Sequence, residues 1–150
     1  MKDTITDLCE RLDLLRLRYN IAFGIIGLPA AAARPYIPMA EAISRGLLDA
    51  DPAAMNITRA LVDPAEMYRP EFWGTPLGRL LFAAGGFPQQ TCTQTVAAAV
   101  LGCSRQWVSA MVAEEKLTPA DGRGVQVEQV RQVLKNRANR LLIDKTVKQV

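Results

Sequence analysis

Histidine is missing altogether from this 150-residue chain. Its absence removes the commonest general acid–base side chain, the commonest metal ligand and every catalytic triad built on imidazole. Cysteine is scarce. Cys9, Cys92 and Cys103 form no C-x-x-C pair and stand too far apart in sequence for a zinc knuckle. An odd cysteine count without an export signal implies a reducing, cytoplasmic setting. Long apolar runs are lacking too. The longest, Tyr19 to Ala33, is interrupted by Asn20, two glycines and Pro29, and it falls short of the roughly 18–20 residues that span a bilayer. The chain starts with Asp3, Asp7, Glu10 and Asp13, where an export signal would be basic. An enzyme, a metal centre, a bound cofactor and a membrane span are therefore all unexpected.

What is present suits a soluble chain with a core: 49% apolar and 22% charged residues. The length fits one compact domain, or a small one with a helical extension. Charge is placed unevenly. Residues 1–89 hold nine basic and ten acidic side chains, whereas residues 90–150 hold nine and five. The net charge of +3 thus comes from the C-terminal part alone. Phosphate backbones reward such clustering, because each basic contact releases condensed counterions. A solubilising surface explains the same charge, so a motif is needed to choose.

The N-terminal part reads as all-α. Thr4 and Asp7 resemble a capping box, and Ile5, Leu8, Leu12, Leu15, Tyr19, Ala22 and Ile26 follow a 3,4 heptad spacing that ends near Gly27 and Pro29. Leu14, Leu17, Phe23 and Ile25 widen that apolar surface, which favours burial against several helices within one subunit or a dimeric bundle. Pro35 and Pro38 break the chain before a short helix from Met39 to Arg45 that stops at Gly46. Asp51-Pro52, Asp63-Pro64 and Thr75-Pro76 are helix starts. The first runs to Leu61; the last presents Leu77, Leu80 and Leu81 and stops at Gly85-Gly86. Phe72 and Trp73 are expected as packing anchors in a loop.

Residues 93–113 read TQTVAAAVLGCSRQWVSAMVA. Thr93 can cap a helix through Leu101, Gly102 supplies a left-handed turn, and Ser104 can cap a second helix. Ala98, four residues before the glycine, allows a close helix crossing. Ala97, Leu101, Cys103, Val108 and Met111 supply a shared core. That is the spacing of a helix-turn-helix. Glu115-Lys116-Leu117 then ends the second helix, an Asp-Gly-Arg-Gly turn follows, Val125 and Val127 alternate like a short strand, and Glu128 opens a further amphipathic helix. On that last helix Val130, Val133, Leu134, Arg137, Leu141 and Leu142 share one face, Arg131, Lys135 and Arg140 another, and the pattern thins beyond Asp144.

From about Thr93 to Lys135 the chain resembles the winged helix-turn-helix of the MerR and excisionase-like superfamily. The residues carrying the resemblance are Ala98, Leu101-Gly102, Ser104, Val108, Lys116-Leu117, Val127, Val130 and Leu134. The run Ser104 to Ser109 is also similar to recognition helices of plasmid-partition and phage regulators. The extra helices precede the module here, and the metal-sensing cysteines of MerR proteins are absent, so effector sensing does not carry over. The expected fold is all-α with a short β wing. It comprises an N-terminal helical dimerisation or partner region (1–74) and a C-terminal winged helix-turn-helix (75–150).

Chemistry assigns roles within the motif. Recognition helices present their first turns to base edges, so Ser104, Arg105, Gln106 and Ser109 are expected at the major groove. Gln94 and Thr95 suit phosphate, and Lys116 and Arg123 flank the wing. Trp107 is expected to stack on Met111 and the preceding helix, or to touch a sugar. The expected function is a non-enzymatic, sequence-specific double-stranded DNA-binding protein, acting as a transcriptional regulator and as a homodimer. An excisionase-like or small-terminase-like architectural factor, or a protein-interaction adaptor, are the alternatives. A protein partner for the N-terminal helices is the other expected contact.

Overall fold

The computed structural model describes residues 2–25, 36–120, 122 and 124–147, with side chains described at 2–21, 36–120, 122 and 124–137. The described chain is mainly helical with one two-stranded antiparallel sheet. Helix α1 (Thr4–Ile25) is followed by α2 (Tyr36–Leu48), α3 (Pro52–Leu61), α4 (Pro64–Met67), α5 (Pro70–Trp73) and α6 (Pro76–Ala84). Strand β1 (Thr91–Thr93), helices α7 (Gln94–Leu101) and α8 (Arg105–Ala113), strand β2 (Gly124–Gln126) and helix α9 (Val127–Val147) complete it.

Helix starts follow local chemistry. Asp51, Asp63 and Thr75 each accept a backbone N–H ahead of Pro52, Pro64 and Pro76. Proline suits the first helical position because its missing N–H has no partner there in any case. Asp63 forms a full capping box with Glu66, yet α4 makes only one turn. Helix α2 departs from expectation: it begins at Tyr36, holds Pro38 in its first turn and passes Gly46 to reach Leu48. A glycine inside a helix costs about 1 kcal/mol, whereas burying a leucine contributes roughly 1.5–3 kcal/mol. Leu47 is buried, so the helix continues. Phe72 and Trp73 are anchors, but they form the short helix α5 instead of a loop.

Buried side chains from Leu8 to Val130 form one hydrophobic cluster, and the expected division at residue 75 falls inside it. Edge-on and tilted contacts among Phe72, Trp73, Phe82 and Phe87, with centroids 4.9–5.9 Å apart, form its aromatic part. The Trp73 Nε1–H donates to the Met67 carbonyl at 3.0 Å. Helix α1 packs on α2, α3 and α6, but the burial of its heptad seam stops at Leu12; Leu15 and Tyr19 are exposed. Ala22, Phe23, Ile25, Ile26 and the expected breaks at Gly27, Pro29 and Pro35 lie outside the described residues or side chains.

The strand expected at Val125 exists, but it is shorter. Val127 already belongs to α9, which therefore starts one residue before Glu128. Its partner is β1, a strand that no sequence pattern announces, with Thr91 opposite Gln126, Cys92 opposite Val125 and Thr93 opposite Gly124. Helix α9 extends past Asp144 to Val147. The side chains of Arg140, Leu141 and Leu142 lie outside those described. Among the described residues no single helix is long and apolar enough to cross a membrane.

Candidate nucleic-acid interface

Backbone capping builds the α7–α8 unit. Thr93 Oγ1 accepts the Val96 N–H at 3.2 Å and starts α7. At the other end Gly102 takes φ +64°, and the Gly102 and Cys103 N–H groups donate to the carbonyls of Ala99 and Ala98 at 3.2 and 3.0 Å. This is a Schellman-type stop. Ser104 Oγ then accepts the Trp107 N–H at 3.1 Å and starts α8. Across the three-residue turn the two helices bend by 107°, within the roughly 90–120° of helix-turn-helix pairs. Ala97, Ala98, Leu101, Val108 and Met111 are buried where the helices meet, and Cys103 is half-buried.

The sheet closes one side of this unit. Cys92 and Val125 point inward, leaving Thr91 and Thr93 on the exposed face of β1. A cleft of about 380 Å³ runs beside it, lined by Thr91, Thr93, Gln94, Thr95, Arg105 and Gly124, together with Gln89 and Cys92. No carboxylate is among these lining residues. The N-terminal amides of α7 and the Arg105 guanidinium give the cleft a positive bias. Thr91 and Thr93 join the site through the sheet, and Gln89 through the turn just before it. The signal of the strand in sequence is one exposed–buried–exposed step over Thr91–Thr93, too brief to separate from a loop.

The expected site residues divide by what they already do. Arg105, Gln106 and Thr95 are solvent-exposed, and among the described residues none of their side chains makes a hydrogen bond or ion pair. Gln94 and Ser109 are brought together, with Ser109 Oγ donating to Gln94 Oε1 at 2.7 Å. That bond links the start of α7 to the second turn of α8 and holds both side chains at the surface. Ser104 is occupied as the α8 cap. Lys116 lies beyond the end of α8, which stops at Ala113 and not at Lys116, and pairs with Glu114 at 2.8 Å. Glu115 takes φ +58° and turns the chain away. Arg123 lies outside the described residues, as does Asp121 of its expected turn.

Two cations from the basic C-terminal part face inward. Arg131 donates to the Ala83 carbonyl at the end of α6 through Nε and Nη2, and pairs with Glu128 at 2.6 Å. Arg137 donates to the Leu101 carbonyl at 2.8 Å and lies 4.6 Å from the Trp107 ring centroid. Cations at helix C-termini are favoured by the carbonyl dipoles there. Trp107 is not a core side chain: it is 41% exposed beneath Arg137. Its indole is amphipathic and needs cover on one face only. Burial pushes the Cys92 thiol up to about 12 and raises that of Cys103 too. Neither is a poised nucleophile. Among the described residues no group of three or more His, Cys, Asp or Glu side chains is arranged to hold a metal ion. No family model, curated protein or solved structure matches the chain.

Proposed function

We propose that this chain is a non-enzymatic, sequence-specific double-stranded DNA-binding protein acting as a transcriptional regulator. One observation carries the reading: the 107° bend between α7 and α8 leaves the first turn of α8 exposed, with Arg105 and Gln106 uncommitted. A helix presented in this way fits the major groove, about 12 Å wide. Arg105 has the donors for guanine O6 and N7, and Gln106 has the paired donor and acceptor for adenine N6 and N7. Thr95 and the N-terminal amides of α7 suit a phosphate beside that groove. The Gln94–Ser109 bond holds both side chains in position beside that helix. The β1–β2 sheet serves as the wing, as in the winged helix-turn-helix domains the sequence resembles.

Selection of binding sites from a random duplex library with the purified protein tests this reading. An enriched motif is the expected result. Arg105→Ala should then weaken binding to that motif by about 1–3 kcal/mol, with a much smaller effect on scrambled duplex. Equal losses on both duplexes would reject base reading, and no retention at low salt would favour the adaptor alternative.

A further inference from the structure

Two tethers flank the buried side of α8. Val108 and Met111 face the core, and at about 100° per residue Ser109 and Trp107 stand on the two flanks of that buried side. Ser109 is held by Gln94 at the start of α7. Trp107 is held from α9. The Arg137 guanidinium lies 4.6 Å from its ring centroid, and Arg137 Nη1 donates to the carbonyl of Leu101, the last residue of α7, at 2.8 Å. One side chain of α9 therefore bridges the end of α7 and the first turn of α8. Among the described residues Arg137 pairs with no carboxylate, so its charge is spent on the carbonyl and the ring. Apolar burial of Val108 and Met111 has no preferred direction and tolerates some rotation of α8 about its own axis. A tether on each flank opposes it.

Rotation is what base reading tolerates least. Side-chain tips stand about 5–6 Å from a helix axis, so a turn of about 20° moves them by about 2 Å. A hydrogen bond made at about 3 Å does not survive that shift. We infer that Arg137 is a positioning residue for DNA reading: through the Trp107 ring it fixes the rotation of α8 and so aims Arg105 and Gln106 at base edges. The inference rests on the DNA-binding reading above, and it assigns specificity to a residue of α9, outside the helix-turn-helix. Arg137 does this without touching DNA.

Two measurements on the full chain test it. Without DNA, acrylamide quenching of tryptophan fluorescence should rise in Arg137→Leu, because Trp73 is fully buried and Trp107 is the ring uncovered. Unchanged quenching would mean that Arg137 does not cover Trp107 in solution, and would overturn the inference whatever the DNA result. With DNA, affinity for the selected motif and for scrambled duplex is compared over a salt series. Arg137→Leu and Trp107→Ala should each lower the motif-to-scrambled ratio by about tenfold, and the double variant should lose no more than either alone. Trp107→Phe keeps a ring face for the guanidinium and should retain most of the ratio. Arg131→Gln is the control: it removes the matching bonds to Ala83 at the end of α6, so it should lower the thermal midpoint and leave the ratio intact. A wild-type ratio in Arg137→Leu would overturn the positioning role, and an equal fall in Arg131→Gln would reduce it to general stability. A salt slope lowered by about one in Arg137→Leu would replace it with a direct phosphate contact. No enriched motif for the wild type would reject the DNA reading itself, and the positioning role with it.

Discussion

Arg11 joins α1 to α4 through a forked contact: Nη1 and Nη2 reach the two Glu66 oxygens at 2.7 and 3.1 Å, while Nε reaches Asp7 at 2.8 Å. Its side chain is only 14% exposed, and hydrogen bonds to charged groups in such sites contribute more than those at open surface. Arg11→Met should cost on the order of 1–2 kcal/mol in urea denaturation, allowing for the solvent that reaches Glu66. The Arg11 guanidinium holds the Glu66 carboxyl below its ordinary value of 4.5. A depressed carboxyl contributes stability that is complete above its unfolded value and is lost as pH falls through the native one. Unfolding at pH 7 against pH 3 should therefore show a larger acid loss in the wild type than in Arg11→Met. Cys92 makes a different prediction. Its thiol, raised to about 12 by burial, should stay unalkylated by iodoacetamide at pH 8 until the chain unfolds, as mass spectrometry of the labelled peptides would show. The pairing of Arg11 with Asp7 is readable in sequence as an i,i+4 pair; Glu66, 55 residues away, is not.

At the scale of elements, turns and close approaches decide the architecture. A Cβ on Gly78 would stand 2.0 Å from the Phe72 carbonyl oxygen and 2.9 Å from Trp73 Cα. Both are backbone atoms, so Gly78→Ala must separate α5 from α6 and should cost more than about 2 kcal/mol. Gly102→Ala strains φ +64° and should cost about 1–2 kcal/mol, less than Gly78→Ala. The nearest atom there is the end of the Arg79 side chain at 3.0 Å, which can move. Glu115 is a non-glycine residue at φ +58°, closing α8 through the Lys116 N–H to the Met111 carbonyl at 2.9 Å. Glu115→Gly should thus raise stability by roughly 0.5–1 kcal/mol. Denaturant midpoints of the three variants check the order. The α3, α4, α6, α7 and α8 starts are all readable, because a cap and the residues it bonds, with a proline behind the cap in three of them, are neighbours in sequence. Strand β1 is not. Three residues carry too little alternation, and what makes them a strand is Gly124–Gln126 on the far side of two helices.

For the whole molecule, the basic excess of residues 90–150 does not all stand on one exposed surface. Arg131 and Arg137 close the carbonyl ends of α6 and α7, so they hold α9 onto the body. Arg131→Gln should lower the thermal midpoint and leave the salt dependence of the proposed DNA binding unchanged; a slope reduced by about one would instead place Arg131 on phosphate. Among its described side chains the heptad seam of α1 divides in the same way, with Leu8 and Leu12 in the core and Leu15 and Tyr19 at the surface. Residue types and short-range spacing by themselves determined that no imidazole chemistry exists, where helices begin, and that a glycine turn joins α7 to α8. These are local properties, settled by neighbours within about four residues. Only tertiary structure decided which arginines remain for a ligand, which half of α1 is buried and that Ser109 meets Gln94. Each of those depends on chain segments that pack side by side while lying far apart in sequence, and no periodicity encodes such a meeting.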